Sequence, residues 1–465
     1  MGHSFHPSIL REYDIRGIID ETLFEADAYA LGQVFGTIVK RAGGNKICIG
    51  MDGRTTSPMM ARALSEGLAS TGLQVINVGM GPTPMLYFAV HHLQADAGIQ
   101  VTGSHNPPNY NGFKIMLGKK PFFGAQIQGL NELAKTADFE VSFGSVEDVD
   151  IQDDYIKRML KDYIDLVGHD KSLDVAWDAS NGAAGPVLQA LIKKLPGHHV
   201  LLNEKVDGTF PCHVPDPTVP EALVQLQGAV KDGGLSVGLA FDGDGDRLGA
   251  VAADGTIAWG DQILALLAED MLKMEPGATV IADVKCSDNL FKSVKKNGGN
   301  PVIWKTGHSL IKQKMAETNA LLAGEMSGHI FFSDRYYGYD DAIYSALRLL
   351  AALARANTTL QDWLAAQPPA FNTPEIRFEC PEDDKFKAIE RLKKHFTASG
   401  VSFDDIDGVR VTTDDGWWVL RASHTQAALS ARCEAGSNEA LAKILDHMKT
   451  SLKAASITWH GDLPA

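Results

Sequence analysis

The sequence predicts an α/β fold in which three similar α/β domains with mixed sheets, together with a C-terminal α+β domain, surround a central cleft. Three observations lead to this class: a strand–helix–strand unit that occurs three times, a polar loop that follows each unit, and a different pattern near the C-terminus. The chain has 465 residues, whereas a single core rarely grows past ~250 residues, so several domains are expected.

The repeated unit consists of an apolar strand ending in an aspartate, a helix, a glycine-containing break and a second strand. It occurs at residues 46–78, 173–203 and 278–304. The two strands of such a unit run parallel, because the helix carries the chain back to the end of the sheet from which it started. Strand–helix–strand units are common, and unrelated ones also resemble one another. The similarity of the three segments could therefore be a chance similarity rather than a true internal repeat, and the pattern alone does not decide between the two.

Each unit is followed by a further strand that ends in a polar loop containing glycine. These loops are residues 102–106, 242–247 and 324–329. Ligands bind at the carboxyl ends of strands in α/β sheets, so three similar domains would present three equivalent loops to one cleft. The pattern therefore favours a single site built from several domains.

The C-terminal part follows a different plan. A basic amphipathic helix is expected near 384–395, and the strands 409–412 and 417–421 flank an Asp-Asp-Gly turn typical of a hairpin. These elements predict a small α+β domain joined through a Gln-Pro-Pro linker. At the opposite end of the chain, residues 11–17 are too charged for a core strand. The predicted domains are residues 1–150, 151–256, 257–369 and 370–465.

Composition and charge argue against several classes of function. The formal net charge of −15 disfavours a nucleic-acid partner, which requires a basic face, but permits a small anionic substrate held by a few cations. No apolar run approaches the ~20 residues that span a bilayer, and the N-terminus lacks the features of a secretory signal. The five cysteines are scattered, which predicts reduced thiols in a cytoplasmic protein rather than a disulfide framework.

The most informative loop runs from Val101 to Lys114. It follows the apolar stretch 97–101, and its glycines and prolines stop regular structure. The loop places Ser104 beside His105 and near a lysine, an arrangement that suits a nucleophile or a phosphate carrier. A polar turn whose serine bonds only to the local backbone is the alternative, and this loop alone does not decide between them.

The second loop carries Asp242, Asp244 and Asp246 on alternate positions. Three such carboxylates can converge on one hard cation, and the intervening glycines permit the tight backbone that this convergence needs. Without a cation they would repel one another, so bound Mg²⁺ is the economical explanation. The segment is not an EF-hand, because Arg247 stands where that motif has glycine. An ordinary Asp-Gly turn with solvated carboxylates is the remaining alternative to a metal site.

Two further loops carry groups suited to a sugar phosphate. Glu325, Ser327 and His329 offer a carboxylate, a hydroxyl and an imidazole, which are hydrogen-bonding partners for a polyol. Arg421 precedes two hydroxyl residues at the end of a strand, and arginine binds phosphate through paired hydrogen bonds. Each signal is weak alone, since an internally bonded loop or an exposed strand end has the same composition.

Together these motifs resemble the α-D-phosphohexomutase family, in particular its bacterial phosphomannomutase/phosphoglucomutase branch. The resemblance covers nearly the whole chain and rests on the serine and aspartate loops in this order, and on residues 11–17, 50–54, 207–211, 305–309, 324–329 and 421–425. It implies four domains around one cleft. It also implies a phosphoserine enzyme that interconverts hexose 1-phosphates and hexose 6-phosphates through a 1,6-bisphosphosugar.

The resemblance implies a role for each matching residue. Ser104 would carry the phosphoryl group, the three aspartates and a phosphate oxygen would bind Mg²⁺, and Arg247 would offset charge. Proton transfer stays open among Lys114, His308 and His329. Glucose 1,6-bisphosphate is the expected activator of a monomer that binds small hexose phosphates but neither nucleic acid nor membranes. Substrate binding is expected from Tyr13, Arg16, Lys285, Glu325, Ser327, Arg421, Ser423, His424 and Thr425.

Met326 bears on the choice of sugar. Glucosamine-phosphate mutases of this family typically carry Gln at this position, so mannose and glucose phosphates are expected rather than aminosugar phosphates. His424 and Ala427 depart from the Asn and Pro usual in the branch, which leaves the strength of phosphate binding open. A phosphoglucosamine mutase is the alternative function, followed by a sugar-phosphate phosphatase. A non-enzymatic phosphosugar-binding protein is disfavoured because Ser104 and the aspartates are all present.

Overall fold

The structure is a computed structural model that describes residues 2–169, 171–423 and 427–459, and these residues form four sheets. The predicted fold class is confirmed: three α/β domains with mixed sheets are followed by an α+β domain. Within the described residues, no helix has the length and apolar character needed to cross a membrane. His424 and Thr425, which were expected to bind substrate, lie outside the described residues.

The first domain carries the largest sheet. Its elements are β1 (Ile15–Ile18), α1 (Glu25–Arg41), β2 (Lys46–Met51), α2 (Ser57–Ala69), β3 (Gln74–Met80), α3 (Thr83–His92), β4 (Ala97–Val101), β5 (Tyr110–Leu117), β6 (Lys120–Pro121), α4 (Ala125–Thr136) and β7 (Ser145–Asp148). The strand order is β1-β5-β4-β2-β3-β7, with β6 beside β5. Strands β4, β2, β3 and β7 run parallel, and β5 and β1 run antiparallel to their neighbours.

Residues 11–17 were expected to be too charged for a core strand, and the structure places part of them at the edge of the sheet. Ile15–Ile18 form the edge strand β1, and Ile15 and Arg16 are buried. Burial of the guanidinium is possible because Arg16 pairs with Asp14 and donates a hydrogen bond to Oδ1 of Asn106 (2.6 Å). The charge that argued against a strand is therefore neutralised locally.

The second domain has a five-stranded sheet. Its elements are α5 (Gln152–Val167), β8 (Val175–Asp178), α6 (Gly185–Ile192), β9 (His199–Leu202), a 3₁₀ turn (Pro220–Leu223), α7 (Val224–Gly233), β10 (Val237–Phe241), β11 (Leu248–Ala252) and β12 (Ile257–Ala258). The strand order is β12-β11-β10-β8-β9.

The third domain has a four-stranded sheet in the order β14-β13-β15-β16. Its elements are α8 (Gly260–Met274), β13 (Thr279–Asp283), α9 (Asp288–Lys296), β14 (Asn300–Trp304), α10 (His308–Thr318), β15 (Leu322–Gly324), β16 (Ile330–Phe332), α11 (Ala342–Ala356) and α12 (Leu360–Ala365).

The fourth domain is antiparallel throughout its described pairs, with the order β17-β21-β20-β19 and β18 beside β21. Its elements are β17 (Phe371–Asn372), β18 (Ile376–Glu379), α13 (Lys385–Ser399), β19 (Val409–Thr413), β20 (Gly416–Ala422), β21 (Ala428–Ala435) and α14 (Asn438–Ala454). The predicted hairpin turn is present, since Thr413 pairs with Gly416.

The three α/β domains repeat one strand pattern. The parallel orders β3-β2-β4, β9-β8-β10 and β14-β13-β15 correspond, and each third strand is followed by an antiparallel partner, β5, β11 or β16. The loops that follow β4, β10 and β15 are the three polar loops identified in the sequence. The repeat therefore places equivalent loops at equivalent sheet edges.

Apolar packing joins the first three domains and sets the fourth apart. One buried cluster contains Phe88 of the first domain, Trp177 of the second and Leu264 of the third. The fourth domain has its own cluster, which includes Phe396 and Trp418. Only a small apolar cluster around Val284, Trp417 and Val419 connects the third and fourth domains within the described residues.

Candidate active site

One cleft receives side chains from all four domains. The predicted site residues within the described ranges converge there: the three aspartates lie beneath Ser104, and the cleft wall contains Tyr13, Arg16, Ser104, Lys114, Arg247, Lys285, His308, Glu325, Ser327, His329, Arg421 and Ser423. The equivalence of the three sheets explains this convergence, because each domain presents its loop at the carboxyl end of a corresponding strand.

Ser104 lies just beyond the end of β4 and is buried, with a left-handed φ of 50°. Its hydroxyl donates a hydrogen bond to Oδ2 of Asp242 (3.2 Å) and lies 3.1 Å from Nδ1 of His105. Left-handed backbone at a residue other than glycine is strained and persists only where surrounding contacts enforce it. The conformation aims the hydroxyl at the second domain rather than along its own sheet.

The imidazole of His105 beside this hydroxyl is held neutral. Burial lowers the pKa of His105 well below its usual range, and the cations of Arg247 and Arg16 lower it further. A neutral ring can accept a hydrogen bond as well as donate one.

The acidic triad lies directly under the serine. Asp242, Asp244 and Asp246 are completely buried, and one oxygen from each lies within 4.8 Å of the others. Burial raises the pKa of Asp242 well above its usual range, and Asp246 and Asp244 raise it further. The buried Oδ1 atoms of Asp244 and Asp246 have no hydrogen-bond partner. Converging carboxylates with unused oxygens fit a divalent cation such as Mg²⁺.

Lys114, from β5 of the first domain, balances part of this negative charge. Its Nζ lies 2.7 Å from Oδ2 of Asp244 and also contacts Asp246. Burial acts to lower the pKa of Lys114, but these two carboxylates raise it above its usual range. The lysine is therefore fixed as a cation across the boundary between two domains.

A chain of contacts links the second and third domains at the cleft. Arg247 Nε donates a hydrogen bond to Nε2 of His329 (3.1 Å). A guanidinium can only donate, so this nitrogen carries the lone pair and Nδ1 carries the ring proton. Nδ1 lies 3.0 Å from Oδ2 of Asp340. Asp340 was missed in the sequence, where its only signal is its place in an Asp-Asp pair before a helix.

His308 begins α10 and lies next to His329, with ring centroids 5.6 Å apart. Burial lowers the pKa of His308 well below its usual range, and Lys312 lowers it further. Nδ1 of His308 lies 3.9 Å from Oδ2 of Asp340, which is too far for a hydrogen bond, so the cleft wall contains two neighbouring imidazoles of which only that of His329 lies within close contact of the aspartate.

The third-domain loop presents Glu325 and Ser327 to the cleft. Glu325 accepts a hydrogen bond from the backbone amide of Gly307, and burial raises the pKa of this carboxyl. Nearby, Nζ of Lys285 lies 3.1 Å from Oε1 of Glu375 in the fourth domain. These groups offer a polyol both acceptors and donors.

Arg421 is held in place at the fourth-domain side of the cleft. Its Nε donates to Oδ2 of Asp407 (2.9 Å), which also accepts from the amide of Thr306 (3.0 Å). Tyr13 of the first domain donates from its hydroxyl to the carbonyl of Thr306 (2.9 Å). Asp407 was missed in the sequence because an aspartate before a glycine is typical of any turn.

The fold and this geometry define a class: a multidomain α/β protein whose central cleft places a buried serine beside an acidic triad. Four domain models of one family match the chain in order, described as phosphoglucomutase/phosphomannomutase α/β/α domains I, II and III and C-terminal domain, at residues 7–141, 153–255, 259–371 and 375–451. The chain belongs to the phosphoglucomutase/phosphomannomutase family.

Relatives extend over nearly the full length. A phosphomannomutase/phosphoglucomutase of Pseudomonas putida is 44% identical, covering 96% of this chain and 95% of that protein. A phosphoglucomutase of Neisseria gonorrhoeae is 41% identical, covering 96% and 97%. A solved structure of a phosphoglucomutase/phosphomannomutase family protein from Burkholderia thailandensis superimposes with a TM-score of 0.91 at 42% identity, covering 99% and 100%.

Proposed function

We propose that this enzyme interconverts hexose 1-phosphates and hexose 6-phosphates, with mannose and glucose phosphates as substrates. The observation that carries the proposal is the placement of Ser104 across one cleft from Arg421. The serine side suits the transferring phosphoryl group, and the arginine side suits a phosphate that does not react. The names of the Pseudomonas and Neisseria relatives support the same activity.

In the first half-reaction, the bond between phosphorus and Oγ of a phosphorylated Ser104 breaks as phosphorus bonds to the free hydroxyl of the sugar phosphate. The hydroxyl proton passes to a base in the cleft wall. Lys114 is disfavoured as that base, because Asp244 and Asp246 raise its pKa and so favour its protonated form. The imidazoles of His308, whose pKa burial lowers, and of His329 remain, and Nε2 of His329, which carries the lone pair, would have to release the hydrogen bond from Arg247 before it takes the proton.

In the second half-reaction, the 1,6-bisphosphosugar turns over in the cleft so that its other phosphate faces Ser104. Phosphoryl transfer to Oγ restores the phosphoserine and releases the isomeric monophosphate. Glu325 and Ser327 would hold sugar hydroxyls in both orientations, and Lys285, Arg421 and Ser423 would bind the distal phosphate. Glucose 1,6-bisphosphate would act as activator by phosphorylating Ser104.

Asp242, Asp244 and Asp246 would hold Mg²⁺ together with an oxygen of the serine phosphate. When bound, the cation supplies positive charge that stabilises the transferring phosphoryl group. Arg247 adds to that charge from the cleft wall, where burial acts to lower its pKa but Asp216 and Asp242 raise it. Catalysis in such a site is mainly positioning and electrostatics.

We also infer that the enzyme acts as a monomer in the cytoplasm on small-molecule substrates. A single chain supplies all four walls of the cleft, which supports the monomer. The five cysteines are free thiols, four of them buried, which supports a reducing compartment.

The test is mutase turnover on glucose 1-phosphate, mannose 1-phosphate and glucosamine 1-phosphate, with Mg²⁺ and catalytic glucose 1,6-bisphosphate. Ser104→Ala is the variant, and Ser8→Ala, on the exposed surface, is the control. Turnover of the first two sugars that is lost in Ser104→Ala supports the proposal. Preference for glucosamine 1-phosphate would overturn the sugar assignment, and phosphate release without isomerisation would indicate a phosphatase.

A further inference from the structure

The Gly-Met-Asp-Gly-Arg segment, which begins with the last two residues of β2, ends in Arg54, a residue with no role in the reaction described above. Its side chain is 1% exposed, although it carries a full positive charge. All five of its N–H groups have acceptors. Nε donates to Oδ2 of Asp52 (3.2 Å), and the other four N–H groups donate to backbone carbonyls of one loop.

That loop is the serine loop. Nη2 donates to the carbonyls of Ser104 (2.8 Å) and Asn106 (2.6 Å), and Nη1 donates to those of Pro107 (2.6 Å) and Tyr110 (3.0 Å). Among the described residues, Arg54 is the only hydrogen-bond donor to the carbonyls of Ser104 and Asn106, whereas the carbonyl of Pro107 also accepts from the amide of Tyr110 (3.0 Å), and Tyr110 pairs with Ile18 in the sheet. One planar group therefore sets the relative positions of four points on the loop.

Asp52 holds the start of the same loop. Its Oδ2 accepts from the amide of Gly103 (3.0 Å) and from Oγ1 of Thr102 (2.9 Å). A Cβ at Gly103 would collide with the Arg54 guanidinium, which explains the glycine at this position. The Asp52–Arg54 pair thus holds the loop on both sides of the left-handed Ser104.

The second domain covers the outer face of this guanidinium. The Phe210 ring lies 5.2 Å from Cζ of Arg54, and it belongs to the Asp-Gly-Thr-Phe-Pro segment, which also lacks a role in the reaction. Gly208 packs against the Arg54 backbone, where a Cβ would lie 2.7 Å from its Cα. The contact joins the loop that carries the serine to the domain that carries the triad.

We propose that Arg54 is a positioning residue that holds Ser104 over the acidic triad, and that Phe210 keeps its guanidinium in place. The proposal rests on the proposed function for its catalytic consequence. Arg54 touches neither the serine hydroxyl nor any sugar-facing residue, so its loss misplaces the phosphoryl group without removing a substrate contact. Lysine cannot replace it, because an ammonium has three donors and no planar fork.

The experiment compares Arg54→Lys with Arg348→Lys in the full-length enzyme. Arg348 is a matched control, because it is also buried and its guanidinium donates hydrogen bonds to both carboxylate oxygens of Asp334 (3.1 and 3.0 Å). Neither residue belongs to the serine loop. Two properties are measured: hydrogen exchange at the amides of Ser104, Asn106 and Tyr110, each of which bonds within the loop, and kcat and KM for glucose 1-phosphate.

For Arg54→Lys we expect hydrogen exchange at these amides to be at least about tenfold faster than in the wild type. We also expect kcat to fall about 100-fold, because a misplacement of the reacting group by ~1 Å lowers the rate by about that factor. KM should stay within about threefold of the wild-type value. Arg348→Lys should lose stability but keep its kcat per folded molecule. The exchange measurement needs no turnover, so it tests the positioning even if the mutase assay fails for the wild type.

Phe210→Leu is the second variant, and it tests the proposal even if Arg54→Lys does not fold. It keeps all five guanidinium hydrogen bonds, and we expect faster loop exchange with a smaller fall in kcat, about fivefold, which corresponds to about 1 kcal/mol. Unchanged exchange and kcat in a folded Arg54→Lys or Phe210→Leu enzyme would overturn the proposal. Equal loss of kcat in Arg348→Lys would also overturn it, because the effect would then be one of general stability.

Discussion

Nζ of Lys114 lies 2.7 Å from Oδ2 of Asp244, although the two residues belong to different domains and are 130 positions apart in the chain. The ammonium occupies space next to the carboxylates that would bind Mg²⁺. A bound metal ion would therefore share this negative charge with the lysine, and each cation would weaken the binding of the other.

Lys114→Met should bind Mg²⁺ more tightly than the wild type, because a competing cation is removed. Its metal-free form should be less stable by about 3 kcal/mol or more, since a buried ion pair loses one partner. Titration calorimetry with Mg²⁺ and urea unfolding with a chelator measure the two effects. Lys385→Met, which removes another buried lysine from the fourth domain, should leave Mg²⁺ affinity unchanged. Weaker Mg²⁺ binding in Lys114→Met would contradict this prediction.

Asp407→Asn should raise KM for the sugar phosphate by roughly 10-fold while kcat changes little, because a charge-assisted hydrogen bond contributes about 1.5–3 kcal/mol. Asp407 orients Arg421 and the Thr306 amide, which lie on the side of the cleft assigned to the non-reacting phosphate. Steady-state kinetics test the split between the two constants. Asp405→Asn, at an exposed aspartate two positions away, is the control, and a fall in kcat with constant KM would contradict the assignment of this side of the cleft.

Glu325→Gln should bind the sugar less well, with a fall in kcat/KM of about 10-fold to 100-fold, because a neutral amide accepts hydrogen bonds more weakly than a carboxylate. The amide can still accept the hydrogen bond that Gly307 donates, so the loop should keep its shape. Kinetics with glucose 1-phosphate and with its 2-, 3- and 4-deoxy analogues identify the hydroxyl concerned. Equal losses for every analogue would show that Glu325 contacts none of these hydroxyls.

Asp341→Asn should alter the pH dependence of stability. The Asp341 carboxyl caps α11 and accepts from the hydroxyls of Tyr155 and Tyr336 (each 2.8 Å), and burial raises its pKa from 3.8 to about 6. Its neutral form therefore favours the folded state, and this contribution is present below pH 3.8 and lost as the pH rises to about 6. At neutral pH, ionisation of Asp341 therefore lowers the stability of the folded protein by on the order of 3 kcal/mol relative to the protonated form.

An asparagine does not ionise, and its single side-chain oxygen can accept either from the two tyrosine hydroxyls or from the backbone amide of Tyr344 but not from both, so the substitution lowers stability by an amount that does not depend on pH. The stability of Asp341→Asn relative to the wild type should therefore increase between about pH 4.5 and pH 7.5. Urea unfolding of both proteins at the two pH values measures the difference. A difference that does not change with pH would mean that Asp341 has an ordinary pKa in the folded protein.

The features that could be predicted from the sequence are those encoded locally. The serine loop and the alternate aspartates are contiguous, and the strands before them are short apolar runs, so β4 was predicted at its observed bounds, 97–101. The triple βαβ pattern was also sufficient to predict the class of fold. These signals depend on neighbouring residues and not on how the domains meet.

The contacts between domains could not be predicted in the same way. Asp340 supports His329 across a turn, Asp407 holds Arg421 only because two strands bring them together, and Arg54 reaches four carbonyls of a loop about 50 residues later. A single aspartate or arginine in the sequence gives no sign of such partners. Likewise, the edge strand β1 was missed because the pairing of Arg16 with Asp14 cannot be read from their charges alone.

The fourth domain meets the third mainly through ion pairs, with Arg410 on Asp288, Arg432 on Asp261 and Glu375 on Lys285. Charged contacts of this kind can separate into water without exposing a large apolar surface, although salt screens buried or partly buried pairs such as these much less than exposed ones. The first three domains, by contrast, share one buried apolar cluster, and separating them would expose its apolar surface to water. The fourth domain, which we propose binds the distal phosphate, is therefore the wall of the cleft that can separate from the rest with the least exposure of apolar surface, and room for a bisphosphosugar to turn would arise on this side.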